Sequence, residues 1–253
     1  MQAFDLTGKA AIVTGGNDGI GRGIAVGLAS AGAGVCIAGR NEDKNERVRA
    51  EIERAGQAAI SVVCDVNDEA DVAATIAATE EAFGGLRILV NNAGIAALGA
   101  PEDMTDEDWR SVIETNLSSV FRFSRAAHPY LAKSGGGKII NIGSMYSIFG
   151  SPFAASYAAS KGGVVQLTKS LAVAWAKDNI QVNAILPGWI KTDMTAPIRS
   201  DMPDLYGSII ARTPAGRFGE PRELAGTAIF LASEASDFVT GQSIAVCGGY
   251  SVA

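Results

Sequence analysis

The chain has few of the residues that staple a small fold or build a metal centre: 3 cysteines and 1 histidine among 253 residues. Cys36, Cys64 and Cys247 are odd in number and far apart, with no Cys-x-x-Cys pair, which points to reduced thiols and a cytoplasmic protein. One histidine and scattered cysteines cannot assemble a metal site, so no metal is expected. His128 precedes Pro129 and no Gly-x-Ser-x-Gly elbow occurs, which removes the material for a Ser/His/Asp nucleophile. Charge is also scarce. Only 19% of residues are charged, and 27 acidic against 21 basic side chains leave a net charge of −6. With no Lys/Arg run to follow a phosphate backbone, no nucleic-acid partner is expected. Residues 1–7 lack a charged and apolar leader, and no apolar run approaches the roughly 20 residues of a membrane helix, so no membrane partner is expected either.

Apolar residues and glycine are what the chain does have. The 47% hydrophobic fraction supplies a large core, and a chain of this size buries about three quarters of its unfolded surface without staples. Short apolar, β-branched runs at 10–13, 34–38, 59–64, 87–90, 138–142, 181–185 and 243–246 alternate with helical patterns at 19–31, 43–55, 68–83, 106–131, 156–177 and 221–232. Continuous rather than alternating apolar runs suit strands buried on both faces of a parallel sheet. The expected fold class is therefore α/β: one Rossmann-type, doubly wound, seven-stranded parallel sheet with helices on both faces, spanning 1–253 as a single domain. Residues 189–219 break the alternation with Pro- and Gly-punctuated amphipathic pieces; a flap over a site and a surface helix pair are compatible readings.

Glycine makes up 30 of the 253 residues, and its placement is informative. The first strand runs into Thr14-Gly15-Gly16-Asn17-Asp18-Gly19-Ile20-Gly21 and then a helix. Such a turn lets backbone approach a pyrophosphate at a helix N-terminus. Its Gly-x-x-x-Gly-x-Gly spacing departs from the dinucleotide fingerprint, so plain turn glycines remain an alternative. Small and polar residues collect at four more strand ends: Cys64-Asp65-Val66, Asn91-Asn92-Ala93-Gly94, Asn141-Ile142-Gly143-Ser144 and Leu186-Pro187-Gly188. Ligands of doubly wound sheets bind at that edge. Tyr157 and Lys161 open the helix after the fifth strand, with Ser144 13 residues before the tyrosine. Residues at i and i+4 share a helix face, and a nearby cation favours the phenolate that a tyrosine needs for proton transfer near neutral pH.

Taken in order, the glycine turn, Asp65, Asn92-Ala93-Gly94, Asn116, Ser144, Tyr157, Lys161 and Pro187-Gly188 with Thr192 resemble the short-chain dehydrogenase/reductase family in its ordinary single-domain branch, over essentially the whole chain. The resemblance implies an NAD(P)-dependent oxidoreductase moving hydride between nicotinamide and a secondary alcohol or ketone, as a homotetramer. By the same resemblance Tyr157 is the acid/base, Ser144 holds the substrate oxygen, Lys161 binds the nicotinamide ribose and lowers the Tyr157 pKa, and Asn116 anchors a relay water. The cofactor would lie on Gly15, Asn17, Asp18, Gly19, Ile20, Gly21, Arg40, Asp65, Val66, Asn92, Ala93, Gly94, Tyr157, Lys161, Pro187, Gly188, Ile190 and Thr192. Met145 and Trp189 would border the substrate, with Tyr146, Phe149 and Phe153 nearby.

The chain is similar to gluconate-, deoxygluconate- and glucose-type dehydrogenases and to ketoacyl reductases, so a sugar, sugar acid, polyol or small ketone is expected, with a β-ketoacyl thioester as the alternative. An idle dinucleotide-binding sensor and a nucleotide-binding methyltransferase leave Tyr157 and Lys161 without a task. The cofactor signals conflict. The second strand ends in Gly39-Arg40-Asn41 without an acid for the ribose hydroxyls; Gly39 offers room, and Arg40 a fork, for a 2′-phosphate. Asp18 would repel that phosphate. On balance NADP(H) is expected to be preferred and NAD(H) usable. Cys247 stands where the family often has Asp.

Overall fold

The computed structural model describes residues 2–253. Strands β1 (Ala10–Thr14), β2 (Gly34–Gly39), β3 (Ala59–Val63), β4 (Ile88–Asn91), β5 (Gly137–Ile142), β6 (Ile180–Pro187) and β7 (Ser243–Val246) form one sheet in the order β3-β2-β1-β4-β5-β6-β7. Every pairing is parallel, for example Ile12↔Cys36 and Ile12↔Leu89. Helices α1 (Gly19–Ser30), α2 (Glu42–Arg54), α3 (Glu69–Phe83), α4 (Asp106–Ile113), α5 (Ser119–Lys133), α6 (Ala155–Trp175), α7 (Ala196–Asp201), α8 (Pro203–Arg212) and α9 (Ala225–Ala232) fill the connections.

Alternate side chains of one strand leave the sheet on opposite faces, and both faces are covered. Ala11 and Val13 join Val35, Ile37 and Val90 beneath α1 and α9, where Ile24, Leu28 and Leu231 pack. Ile12 points the other way, with Cys36, Leu89 and Ile139, toward Val72 and Ile76 of α3, Phe123 of α5 and Leu171 of α6. Each such fully buried aliphatic contributes about 1.5–3 kcal/mol. The edge strands depart from the continuous burial expected of them: β3 and β7 each leave residues exposed, because an edge has a neighbour on one side only. Strand order reverses between β1 and β4, which opens a crevice at their carboxyl ends.

The expected helix over 106–131 is interrupted. Residues 114–118 form a π-helical turn between α4 and α5, with Asn116 fully buried at its centre. Such turns arise where a side chain draws the helix out of its i→i−4 register. Residues 189–219 carry α7 and α8, so the helix-pair reading of that segment is what the chain adopts. Among the described residues no helix is long and apolar enough to cross a membrane.

Candidate active site

The floor of the crevice is made by the glycine turn. Gly15 has φ +60°, and a Cβ there would lie 2.9 Å from Asn92 Nδ2. A Cβ on Gly21 would lie 2.0 Å from the Gly15 carbonyl oxygen, so only hydrogen fits. The turn thus folds tightly onto α1, whose first amides, those of Ile20 and Gly21, have no intrahelical acceptor. Unspent amides at the positive end of a helix suit a pyrophosphate. Thr14 and Asn92 lock this floor to β4. The Thr14 hydroxyl accepts from the Asn92 and Ala93 amides (3.0 and 3.1 Å), and Asn92 Nδ2 donates to the Thr14 and Gly15 carbonyls (3.0 and 3.1 Å).

At the adenosine end the structure corrects two steps of the sequence argument. Asp18 is not a free repulsive charge: its carboxylate caps α1 through the Gly19 amide at 2.7 Å and is paired with Lys44 on α2. The Lys44 hydrogen bond holds the Asp18 carboxyl below the usual range, and Asp18 raises the Lys44 ammonium in turn. Nor does Gly39 leave open space, since a Cβ there would lie 2.5 Å from Asn17 Nδ2. Asn17 donates to Asn45 Oδ1 (2.7 Å), and buried Asn45 donates to the Gly39 and Val62 carbonyls (2.7 and 3.1 Å), tying the turn to β2 and β3. Arg40 is exposed and makes no hydrogen bond among the described residues. The Asp65 carboxylate accepts from the Asn67 amide at 2.9 Å, and Val66 beside it is buried.

The far wall begins where β6 ends. Pro187 is the last residue of β6, opposite Val246, and a Cβ on Gly188 would meet Cys247 Cα at 2.6 Å. The Cys247 thiol contacts the Ser251 hydroxyl at 3.3 Å. Ile190 is buried and bridged to Gly219, and Thr192 comes down on the glycine turn: a Cβ on Gly19 would lie 3.0 Å from its γ-methyl.

Between these walls stand the four expected polar residues. Ser144 caps a 3-10 turn, accepting from the Tyr146 amide at 3.1 Å, and Ser147 bonds back to the Ser144 amide while donating to the Lys161 carbonyl (3.1 and 2.8 Å). Ser144 thereby fixes Tyr146, which stands edge-on to Tyr157. Lys161 Nζ donates to the Ile142 carbonyl at 2.7 Å and lies 5.7 Å from the Tyr157 ring centre. Asn116 joins through Ser160: Asn116 Nδ2 donates to Ser160 Oγ (3.1 Å), and Ser160 donates to the Tyr157 carbonyl (2.7 Å). Asn116 also exchanges hydrogen bonds with the Ile95 amide and carbonyl (2.8 and 2.9 Å). Its amide hydrogens are spent on protein, which leaves its backbone or the second lone pair of Oδ1 for a water. A Cβ on Gly94 would sit 3.1 Å from Asn116 Oδ1 and 3.6 Å from Lys161 Nζ, so the three converge.

Burial governs the protonation of this group. The Tyr157 phenol is pushed up by burial, which outweighs the Ser144 hydrogen bond, rather than lowered by Lys161 as expected. Lys161 is pushed down to about 8, also by burial. In the protein alone the phenol is therefore a held proton, ready to be donated.

Lys44, Asn45, Ser147 and Ser160 were not expected from the sequence, nor was the buried chain in which Asn91 donates to Asn141 (2.9 Å) and Asn141 to Thr168 (2.9 Å). Paired asparagines inside otherwise apolar strands were the available signal. The mouth is aromatic. Tyr146 stands edge-on to Tyr157 (6.3 Å) and to Trp189 (6.2 Å), Trp189 is near Phe218 (5.9 Å), and Met145 is buried beside Leu186 and Tyr250. Phe153 is 62% exposed. Among the described residues no group of three His, Cys, Asp or Glu side chains could hold a metal.

The comparisons with known proteins agree with this geometry. A family model described as enoyl-(acyl carrier protein) reductase matches residues 15–251. The chain is 42% identical to the 2-dehydro-3-deoxy-D-gluconate 5-dehydrogenase of Dickeya dadantii, over 99% of this chain and 98% of that protein. It is equally 42% identical to a galactitol 2-dehydrogenase (L-tagatose-forming) of Cereibacter sphaeroides, over 98% and 97%. The solved gluconate 5-dehydrogenase of Burkholderia cenocepacia, in complex with NADP and tartrate, superposes with a TM-score of 0.95 at 41% identity, covering 100% of this chain and 98% of that one.

Proposed function

The chain belongs to the short-chain dehydrogenase/reductase family, and on that premise we propose that it oxidises or reduces a polyhydroxylated substrate, a sugar acid in the first place, at a secondary alcohol carbon. It is an NAD(P)-dependent oxidoreductase acting on CH–OH groups. The single observation that carries the assignment is the convergence of Ser144, Tyr157 and Lys161, with Asn116 tied in through Ser160, at the carboxyl edge of the sheet.

A nicotinamide dinucleotide, when bound, supplies the hydride chemistry. The glycine turn with Ile20 and Gly21, Asn92 to Gly94, Asp65 with Val66, and Pro187 to Thr192 would hold it. The unspent α1 amides fit its anionic centre. Ser144 and Tyr157 then present two hydroxyl donors to the oxygen on which negative charge grows during ketone reduction. Tyr157 delivers its proton to that oxygen, and in the oxidative direction it takes the proton from the alcohol. Lys161 fixes this cluster against the β5 end and supplies the cation that offsets phenolate.

NADP(H) is the preferred cofactor in this reading, with NAD(H) usable. Residues 1–253 act as one catalytic unit, and 189–219 serve as the flap over it. Cytoplasmic location follows from the reduced thiols, and a homotetramer from apolar surface on adjoining helices: Trp109 of α4 is 43% exposed, Phe121 of α5 44% and Val173 of α6 83%. Surface of that kind is what a partner subunit covers. A sedimentation mass near one 26.0 kDa chain would refute the tetramer. The activity is tested with both cofactors on gluconate-type acids, galactitol-type polyols, small ketones and an acetoacetyl thioester. Turnover of acids or polyols supports the reading, and turnover of the thioester alone replaces it with a ketoacyl reductase.

A further inference from the structure

Arg212 is the last residue of α8, in the flap. Its guanidinium lies over two aromatic rings, 4.7 Å from the Phe149 centre and 4.2 Å from that of Tyr250, and one N–H donates to the Tyr250 hydroxyl at 3.3 Å. The rest of its fork has no acceptor among the described residues. Arg22, Arg49, Arg122, Arg125 and Arg217 are each paired with a carboxylate. Among the described residues Arg212 shares its lack of one with Arg40, Arg47, Arg54, Arg87, Arg110, Arg199 and Arg222, and differs from these in lying over two aromatic rings. Stacking on aromatic rings engages the faces of a guanidinium and leaves its edge, the part that binds a carboxylate with two parallel hydrogen bonds.

The position of this edge is informative. Phe149 lies on the segment that Ser144 begins, its amide bonded to the Met145 carbonyl at 3.0 Å. Phe149 and Tyr250 pack together and with Met145 and Trp189, Trp189 stands edge-on to Tyr146, and Tyr146 stands edge-on to Tyr157. The cation thus sits on the outer side of the aromatic cluster whose inner ring, Tyr146, meets Tyr157.

We infer that Arg212 determines substrate specificity by receiving the carboxylate of a hydroxy or keto acid whose reacting carbon, several bonds away, is held by Ser144 and Tyr157. This rests on the reading of Ser144 and Tyr157 as the groups that hold the reacting oxygen. A cation facing an aromatic mouth attracts an anionic end group and adds nothing for a neutral polyol of the same length. The competing account is structural: a positive charge at a helix C-terminus packed on two rings would stabilise α8 whatever the substrate.

The experiment separates these accounts by comparing an acid with its neutral counterpart. Calorimetric titration of the full-length protein, loaded with NADP, uses tartrate and the matching tetrol, threitol, as probes on wild type, Arg212→Met and Arg212→Lys. Methionine keeps an unbranched apolar stem. Tartrate binding is expected to weaken at least about 10-fold in Arg212→Met, the scale of one lost charge-assisted hydrogen bond, and by less in Arg212→Lys, which keeps the charge and loses the fork. Threitol is expected to show no dependence on residue 212. In turnover, Arg212→Met is expected to raise KM for gluconate with little change in kcat, and to leave galactitol unchanged. Equal losses for acid and neutral probe, or unchanged tartrate binding, or no tartrate binding by wild type, would each overturn the inference. Binding does not require turnover, so an enzyme that binds tartrate through Arg212 yet oxidises nothing in the panel would retain the carboxylate site and lose the proposed reaction.

Discussion

The two walls of the cleft are built differently. The floor rests on side chains with almost no exposure, Thr14, Asn91, Asn116, Asn141 and Lys161, each bonded to a neighbouring strand or helix. On the flap, α7 buries no residue and α8 buries only Ile209. Outside these helices the flap is held by buried Phe218, against which Trp189 and Tyr206 pack, by the Ile190–Gly219 bridge, and by ion pairs such as Lys191–Glu220 (2.5 Å) and Arg217–Glu223 (2.6 Å). Exposed pairs of that kind contribute about 0–1 kcal/mol each. In the proposed function, proton chemistry would sit on the rigid wall and substrate selection on the weakly held one, an arrangement that lets specificity change without disturbing the reacting groups.

The sharpest way to break that comparison is to remove the proton donor from the rigid wall. Tyr157→Phe is expected to lower kcat by about 10²–10⁴-fold, the range of general acid–base catalysis, while cofactor affinity by fluorescence titration stays within a few fold. Retention of more than about a tenth of kcat, a barrier change under ~1.4 kcal/mol, would mean another acid does the work. The same contrast is visible without mutation. Amides of α7 and α8 are expected to exchange with deuterium at least ~100-fold faster than those of β4 and β5, because local opening costs far less than opening the core. Equal protection of the two would make the flap part of the rigid wall.

Lys161 tests how much stability the rigid wall gives up for its chemistry. Burial moves its ammonium from 10.5 down to about 8, a penalty of ~3 kcal/mol at most, present in full below pH 8, where folded and unfolded chains both carry the proton. Between pH 8 and 10.5 only the unfolded chain keeps it, so stability rises with pH. Lys161→Met removes the penalty but also the hydrogen bond to Ile142, worth about 1 kcal/mol. The variant is expected to be inactive yet about 1–2 kcal/mol more stable at pH 7 by denaturant unfolding, with the gain vanishing toward pH 10.5. A variant less stable than wild type at pH 7 would show that Lys161 is a structural ion.

The rigid wall was also the legible one. Seven strands, the glycine turn and the polar residues at strand ends follow from apolar runs and their punctuation, because the inner strands of a parallel sheet must be apolar on both faces and ligands collect where strands end; the exposure of the two edge strands does not. Less accessible was anything set by contacts across the chain. Asn45 and Lys44 looked like ordinary residues of a charged helix, and only the packing of α2 on the glycine turn shows that one holds Asn17 and the other Asp18. Asn116 drew attention by resemblance, while the π turn it sits in left no mark on the periodicity. The expected pull of Lys161 on the Tyr157 phenol rests on spacing and on resemblance, and neither carries information about desolvation. On the flap, exposed helices with mixed composition gave a length and little more, and Arg212 stood out only once its place over Phe149 and Tyr250 could be seen.

The smallest expected effect concerns the cofactor's adenosine end, where the two walls meet. Lys44 Nζ pairs with Asp18 of the glycine turn and lies 3.4 Å from Asp193 of the flap. If a 2′-phosphate lies there as proposed, the charge balance around it is set by Arg40 and Lys44 together, against Asp18 and Asp193, and not by Arg40 against Asp18 alone. Arg40→Ala should reduce the NADP-to-NAD ratio of kcat/KM about 5- to 10-fold, as expected for loss of one partly exposed charge-assisted contact. Lys44→Ala exposes the Asp18 carboxylate to the phosphate and should reduce the ratio by a similar factor. Asp18→Asn keeps a side-chain acceptor for the Gly19 amide, frees Lys44, and should raise it a few fold. The double variant Lys44→Ala, Asp18→Asn tells a phosphate contact from a screening role: if Lys44 acts only by neutralising Asp18, the double variant recovers the wild-type ratio, and if Lys44 itself meets the phosphate, the ratio stays low. An unchanged ratio in both Arg40→Ala and Lys44→Ala would remove the positive support for NADP(H) as the preferred cofactor.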